Sequence, residues 1–179
     1  MAYKYSELEK QSVDAIETIS LTAACNFLKE KFNNENEFTE NLLPKLERLV
    51  NEAYGLNIES IQLEKVFDAI DLGYYKIRFD IYITTKEGQD IIIECKNPSH
   101  KKSETFSAFS QIMSYQFMFT NKEKKPIFIL ATSVFDFMYF EFMNYFKLDI
   151  DIILNNKDHI GFWINDFKKW EHLNNMKRK

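Results

Sequence analysis

The sequence predicts an α/β protein with a mixed central sheet flanked by helices, and three observations carry that prediction. Apolar residues at helical spacing up to Tyr54 give way to a spacing of two from Ile58. The loop Lys86-Glu87-Gly88 joins two of the resulting strands as a three-residue hairpin connection. A helical segment followed by the apolar run Ile127 to Thr132 then makes a strand–helix–strand unit, which implies a right-handed parallel crossover.

The elements follow in order. Tyr5 to Phe32 places Val13, Ile16, Ile19, Leu21, Ala24, Phe27 and Leu28 close to helical spacing and reads as a long amphipathic helix, ended by the polar run Asn33 to Asn36. Phe38 to Tyr54 resumes the period at Leu42, Leu46, Leu49 and Ala53; Pro44 is expected to kink this helix and Gly55 to stop it. Ile58 to Phe67 alternates as a strand. Tyr75 to Thr85 does so clearly, with Ile77, Phe79, Ile81 and Ile83 assigned to one face and Arg78, Asp80 and Tyr82 to the other. Ile91 to Lys96 is the third strand. Gly88 stands where a G1 bulge needs a left-handed residue, and the register that sets Thr85 opposite Gln89 also sets Asp80 opposite Glu94. Ser103 is expected to cap a helix running to about Thr120, and the turn Asn121 to Lys125 with Pro126 leads into the fourth strand. Phe135 to Phe146 fits either strand or helix. Asn165 to Met176 reads as a helix, with Trp163 and Trp170 as core or interface anchors.

Composition narrows the function. In 179 residues, hydrophobic positions make up 45% and charged ones 28%, the balance of a soluble globular chain. Gly (4) and Pro (3) are scarce, and neither G-x-x-x-x-G-K-[ST] nor G-x-G-x-x-G occurs, so a nucleotide cofactor is excluded. Cys25 and Cys95 are too far apart for a C-x-x-C metal pair and read as free thiols. With no signal-like start and no apolar span, the expectation is a cytoplasmic protein that does not enter membranes. The net charge of -4 is unevenly spread: residues 1–71 hold fourteen acids against seven bases, and residues 72–179 hold sixteen bases against thirteen acids. The second part is the one suited to phosphate.

The residues that point to chemistry are Asp80 and, fourteen positions on, Glu94-Cys95-Lys96. Glu94 and Lys96 share a strand face, and the hairpin register brings Asp80 against Glu94. Opposed carboxylates on an apolar hairpin repel unless a cation sits between them. Hard oxygen donors suit Mg²⁺, with Mn²⁺ as a substitute, and the Cys95 backbone carbonyl offers another ligand. Lys96 is placed to orient or deprotonate a water, or to stabilise charge on a phosphate under attack. The competing structural reading pairs Asp80 and Glu94 with Arg78, Lys96 or other lysines on an ordinary hairpin, with Gln111 and Tyr115 lining a core. His100, His159 and His172 have no metal-binding spacing and read as surface or structural, and Asp149 and Asp151 read as a solvated edge.

Asp80, Glu94 and Lys96 match the D…(D/E)-x-K signature, and the chain resembles the PD-(D/E)xK nuclease superfamily. Gln111-Ile112-Met113-Ser114-Tyr115 is similar to the Q-x-x-x-Y motif of RecB-like nucleases and of the amino-terminal nuclease domain of type I restriction R subunits, and Pro126 to Thr132 also looks similar to that domain. Arg78-Phe79-Asp80 lacks the proline that usually precedes the first Asp. The resemblance covers roughly residues 37–145 and implies a restriction-endonuclease-like αβββαβ core there; residues 1–36, an amino-terminal helical extension, and 146–179, a carboxy-terminal helical extension packed on the core, are expected from their own patterns and lie outside it. It also implies a first-helix acid among the metal ligands, Glu40 by preference or Glu37, beside Asp80, Glu94 and the Cys95 carbonyl. The implied catalytic set is Asp80, Glu94, Lys96, Gln111 and Tyr115, with Lys101, Lys102, Gln111 and Tyr115 meeting nucleic acid. The expected function is Mg²⁺-dependent hydrolysis of DNA phosphodiesters by a restriction or defence-type endonuclease, acting as a homodimer or with a separate motor or specificity subunit. The alternatives are a catalytically silent module of the same fold that binds DNA or a partner protein, and a recombination or repair nuclease.

Overall fold

The computed structural model describes residues 32–69, 75–97, 102–120, 123–133, 143, 145–155, 160–164 and 169–172. Helix α1 (Glu35–Tyr54) is followed by strands β1 (Ile58–Ala69), β2 (Tyr75–Thr85) and β3 (Asp90–Lys96), helix α2 (Lys102–Met118), and strands β4 (Ile127–Thr132), β5 (Asp151–Asn155), β6 (Ile160–Ile164) and β7 (Lys169–His172). The strands form one mixed sheet in sequence order, with β1–β2 and β2–β3 antiparallel, β3–β4 and β4–β5 parallel, and the last two pairs antiparallel. The molecule is thus of the mixed α/β kind. No helix among the described residues is long and apolar enough to cross a membrane.

Among the described residues, each face of the sheet carries one helix and one core. On one side Phe38, Leu42, Leu46, Leu49 and Val50 of α1 pack on Ile81, Ile83, Ile91, Ile93, Ile129, Ala131 and Ile153. On the other, Ala108, Phe109, Ile112, Tyr115 and Phe119 pack on Phe79, Tyr82, Ile92, Phe128, Leu130 and Ile152. β3 lies between neighbours on both edges and under both helices, so Ile91 to Cys95 are all buried. An aromatic knot of Phe67, Phe79, Tyr82, Tyr115 and Phe119 fills the α2 side, the Phe79 and Tyr115 rings meeting edge to face with 4.7 Å between centroids.

The hairpin has the expected register as far as Ile81↔Ile93, and the ladder ends there, one pair short of the expected Asp80–Glu94 pairing. Ile81 pairs with Ile93 and Thr84 with Asp90, the Thr85 N–H donates to the Gln89 carbonyl at 3.0 Å, and Gly88 has φ 72°. The expected face assignment holds for only part of β2. Ile81 and Ile83 face α1, whereas Ile77 and Phe79 face α2 together with Tyr82. The alternation inverts at Asp80, where β1–β2 pairing skips from Leu63↔Ile81 to Lys65↔Phe79 and Glu64 takes φ 52°. A residue in that left-handed region turns the strand out of its pleat, and sequence alternation alone does not reveal it.

Other expectations are corrected. Within the polar run Asn33 to Asn36, Asn34 caps a helix, its side chain accepting the Glu37 N–H at 2.9 Å, so α1 starts at Glu35 and not at Phe38. Pro44 lies inside α1, where its ring nitrogen has no N–H to donate. α2 begins at Lys102, which puts Ser103 inside the helix and not at its cap. Residues 169–172 form β7 rather than part of a helix, Trp170 pairing with Trp163 of β6. Non-local pairing there outweighs the local helical propensity of a Lys- and Glu-containing segment. Asp151 is not on a solvated edge: it opens an interior strand, is 8% exposed and accepts a hydrogen bond from the Tyr54 hydroxyl, while Asp149 is exposed. The helix expected over residues 5–32 lies outside the described residues except for Phe32, as do Cys25, His100, Lys101, His159 and most of the segment 135–146.

Candidate active site

The β2–β3 ladder stops at Ile81↔Ile93, and the site occupies the opening beyond it. There the Cys95 N–H donates to Asp80 Oδ2 at 2.8 Å, a side-chain oxygen standing where a strand carbonyl would otherwise accept. The N–H and C=O of one strand residue point the same way, so the Cys95 carbonyl is also directed towards β2. Its thiol is buried against α1, and that burial raises it well above the ordinary thiol range, leaving it inert.

Glu94 faces α2 and is 0% exposed. Its Oε2 accepts from the Tyr115 hydroxyl at 2.7 Å, and Lys96 Nζ lies 2.6 Å from Oε1. That oxygen has no hydrogen bond of regular geometry, so its charge is met by the ion pair alone. The Tyr115 oxygen also lies 3.1 Å from the Arg78 carbonyl, but one phenolic proton serves one acceptor, and the nearer, charged one is Glu94. Burial and then the Asp80 charge push the Glu94 carboxyl up to about 6, against the pull of Lys96 and Tyr115. Burial also raises Asp80, countered by the Cys95 N–H and Lys96. Burial works to lower Lys96, but Glu94, with Glu35 and Asp80 behind it, holds the ammonium above its ordinary value.

The helix acid at this site is Glu35. Its Oε2 stands 3.9 Å from Lys96 Nζ, and its carboxyl is raised by burial, with Lys96 pulling it down and Asp80 pushing it up. Glu40, preferred from the sequence, is exposed on α1 and makes no contact with these groups, because five residues on a helix carry it well round from Glu35. Glu37 is spent on the cap, accepting from the Asn33 N–H at 2.8 Å and the Asn33 side chain at 2.7 Å. Glu64 is a further acid that sequence reasoning missed. Its carboxylate pairs with Arg78 Nε at 2.7 Å and adds to the charge felt by Asp80 and Glu35. Glu35 had a readable signal, Asn34 followed three residues later by Glu37. Glu64 had none, since its position depends on the turn of β1.

Asp80 and Gln111 open onto a cavity of about 770 Å³ between β2 and α2. Gln111 lies beside the Tyr115 hydroxyl and lines this space. Tyr115, expected to meet nucleic acid, is 2% exposed and instead positions Glu94. Lys102 is on the first turn of α2. Among the described residues no three His, Cys, Asp or Glu side chains converge as a ready-made metal site. The donor chemistry nonetheless fits a hard divalent cation: carboxylates of Asp80, Glu94 and Glu35, one with a buried oxygen held only by a lysine. No family model, curated protein or solved structure matches the chain.

Tyr115→Phe removes the neutral donor from a buried carboxylate. Unfolding in urea with chelator present should show a loss of about 1.5–3 kcal/mol at pH 8. The loss should shrink at pH 5, where Glu94 is protonated. An equal loss at both values would mean that the hydroxyl serves packing or the Arg78 carbonyl instead.

Proposed function

We propose that the protein is a divalent-metal-dependent nuclease of the PD-(D/E)xK kind, acting on DNA. The observation that carries this reading is the meeting of Asp80, Glu94 and Lys96 where β2 parts from β3, beside a large cavity. The order helix, three antiparallel strands, helix and parallel strand agrees with the αβββαβ plan of that superfamily. Asp80 and Glu94 would hold Mg²⁺, with the Cys95 carbonyl and Glu35 as further oxygen donors. When bound, the cation supplies Lewis acidity towards a phosphoryl oxygen. Lys96, held in its charged form, donates to a phosphate oxygen on which negative charge builds and does not act as the base. Tyr115 keeps Glu94 oriented, and Gln111 lies within reach of substrate in the cavity.

Incubating the protein with supercoiled, linear and single-stranded DNA in Mg²⁺, Mn²⁺ or chelator tests the reading. Metal-dependent cleavage is expected, and absence of cleavage on every substrate defeats it. The helix acid is tested in the same assay. Glu35→Gln should slow cleavage by about 10- to 100-fold, the scale of a lost supporting carboxylate, while Glu40→Gln should leave it unchanged. The reverse pattern would restore Glu40 to the site.

One observation favours the silent-module reading. Glu94 is closed off and already neutralised by Lys96. Calorimetric titration with Mn²⁺ separates the two, since a silent module shows no metal heat yet binds DNA in chelator.

A further inference from the structure

We infer that the outer face of α2 is a track for a single strand of nucleic acid running into the Asp80 opening. The inference rests on the nuclease reading for its direction but not for the binding itself. The 770 Å³ cavity beside Asp80 and a second of about 390 Å³ beside the carboxy-terminal end of α2 share Met113 and Phe117 as lining, so the two form one path across the helix. Phe117 stands 66% exposed at their junction and stacks on no other ring among the described residues. A phenyl face presented to water beside an open groove is suited to a planar apolar partner, and an unpaired base is one. The charged residues along the path are Lys76, Arg78 and Asp80 in the first cavity and Lys125, Lys147 and Asp149 in the second. With Arg78 paired to Glu64, Lys76, Lys125 and Lys147 against Asp80 and Asp149 still leave the path basic on a chain of net charge -4. Lys76, Lys125 and Lys147 make no ion pair with another described residue, which leaves them for phosphates. Cations at both ends with an aromatic ring between them match the alternation of backbone and base in a single strand. A duplex keeps its base faces stacked and has none to offer Phe117.

The test is fluorescence anisotropy in chelator, with labelled oligo(dT) and a duplex of equal length, on the wild type, Phe117→Ala and the double variant Lys125→Ala/Lys147→Ala. Phe117 is on the surface and its removal spares both cores. Oligo(dT) should bind more tightly than duplex, Phe117→Ala should weaken it about tenfold, and the double variant should flatten the dependence of log affinity on log salt by about 1.4. Duplex bound equally well with no effect of Phe117→Ala, or no binding of either DNA, overturns the track. So does displacement of oligo(dT) by poly-glutamate with the same dependence on Phe117, which would assign the path to acidic peptides. Phe117-dependent binding by a protein that never cleaves in Mg²⁺ or Mn²⁺ would leave the track standing and remove the nuclease reading. Cleavage with Phe117-independent binding would do the reverse.

Discussion

Asp80→Asn is expected to lower DNA cleavage by about a thousandfold or more, the factor that several kcal/mol of lost transition-state stabilisation represents. The fold should not suffer. Asparagine keeps an oxygen where Asp80 Oδ2 accepts the Cys95 N–H, so the open end of the hairpin retains its bond. Removing the charge also relieves Glu94, which Asp80 pushes up. Single-turnover cleavage in Mg²⁺ beside a urea unfolding curve checks both halves. Full activity in a folded Asp80→Asn protein would show that the carboxylate pair is structural, as on an ordinary salt-bridged hairpin.

Lys96→Met should be the most destabilising change at this site, and its cost should depend on pH. The substitution leaves Glu94 buried with only the Tyr115 hydroxyl to meet its charge. Breaking a buried pair from one side costs about 3–5 kcal/mol. The sign follows from Glu94. Its folded value of about 6 lies above the ordinary 4.5, so the native state holds the proton more tightly than the unfolded chain. Stability from this group is therefore greatest below the ordinary value and is lost as pH rises through about 6, a fall on the order of 2 kcal/mol in the wild type. Lys96 pulls Glu94 down, so its removal raises Glu94 further and carries the window to higher pH. Guanidinium unfolding in chelator should then show the full penalty at pH 8 and a much smaller one at pH 5. A penalty equal at both would mean that Glu94 is not left charged and unpaired. Loss of cleavage in a Lys96 variant therefore mixes chemistry with folding, and Asp80→Asn is the cleaner probe of the reaction.

The parts of the site legible in the sequence were those fixed by short-range geometry. Period two set Glu94 and Lys96 on one face, and the Gly88 loop set the register that carries Asp80 to the end of β3 holding Glu94 and Cys95. The spacing of Gln111 and Tyr115 placed them together on α2, although it did not tell which would be buried. The resemblance implies Glu40, but Asn34 and Glu37 form a cap that starts α1 three residues before Phe38 and puts Glu35 beside Lys96. β7 was missed for a different reason. A four-residue strand owes its conformation to pairing with β6, and no local preference announces it.

By itself the sequence determined the α/β class, the αβββαβ order of the core, the hairpin register and the identity of the Asp80–Glu94–Lys96 group, because each follows from side-chain period, turn chemistry or spacing along one element. Only the tertiary structure decided that β2 inverts its faces at Asp80, that Glu35 rather than Glu40 reaches Lys96, and that Tyr115 is sealed against Glu94 while Phe117 faces the solvent. Those outcomes depend on where separate elements meet: a turned residue in β1, the first turn of α1 and the packing of α2 on the sheet. Contacts between elements distant in the chain are set by burial and shape, which no local pattern encodes.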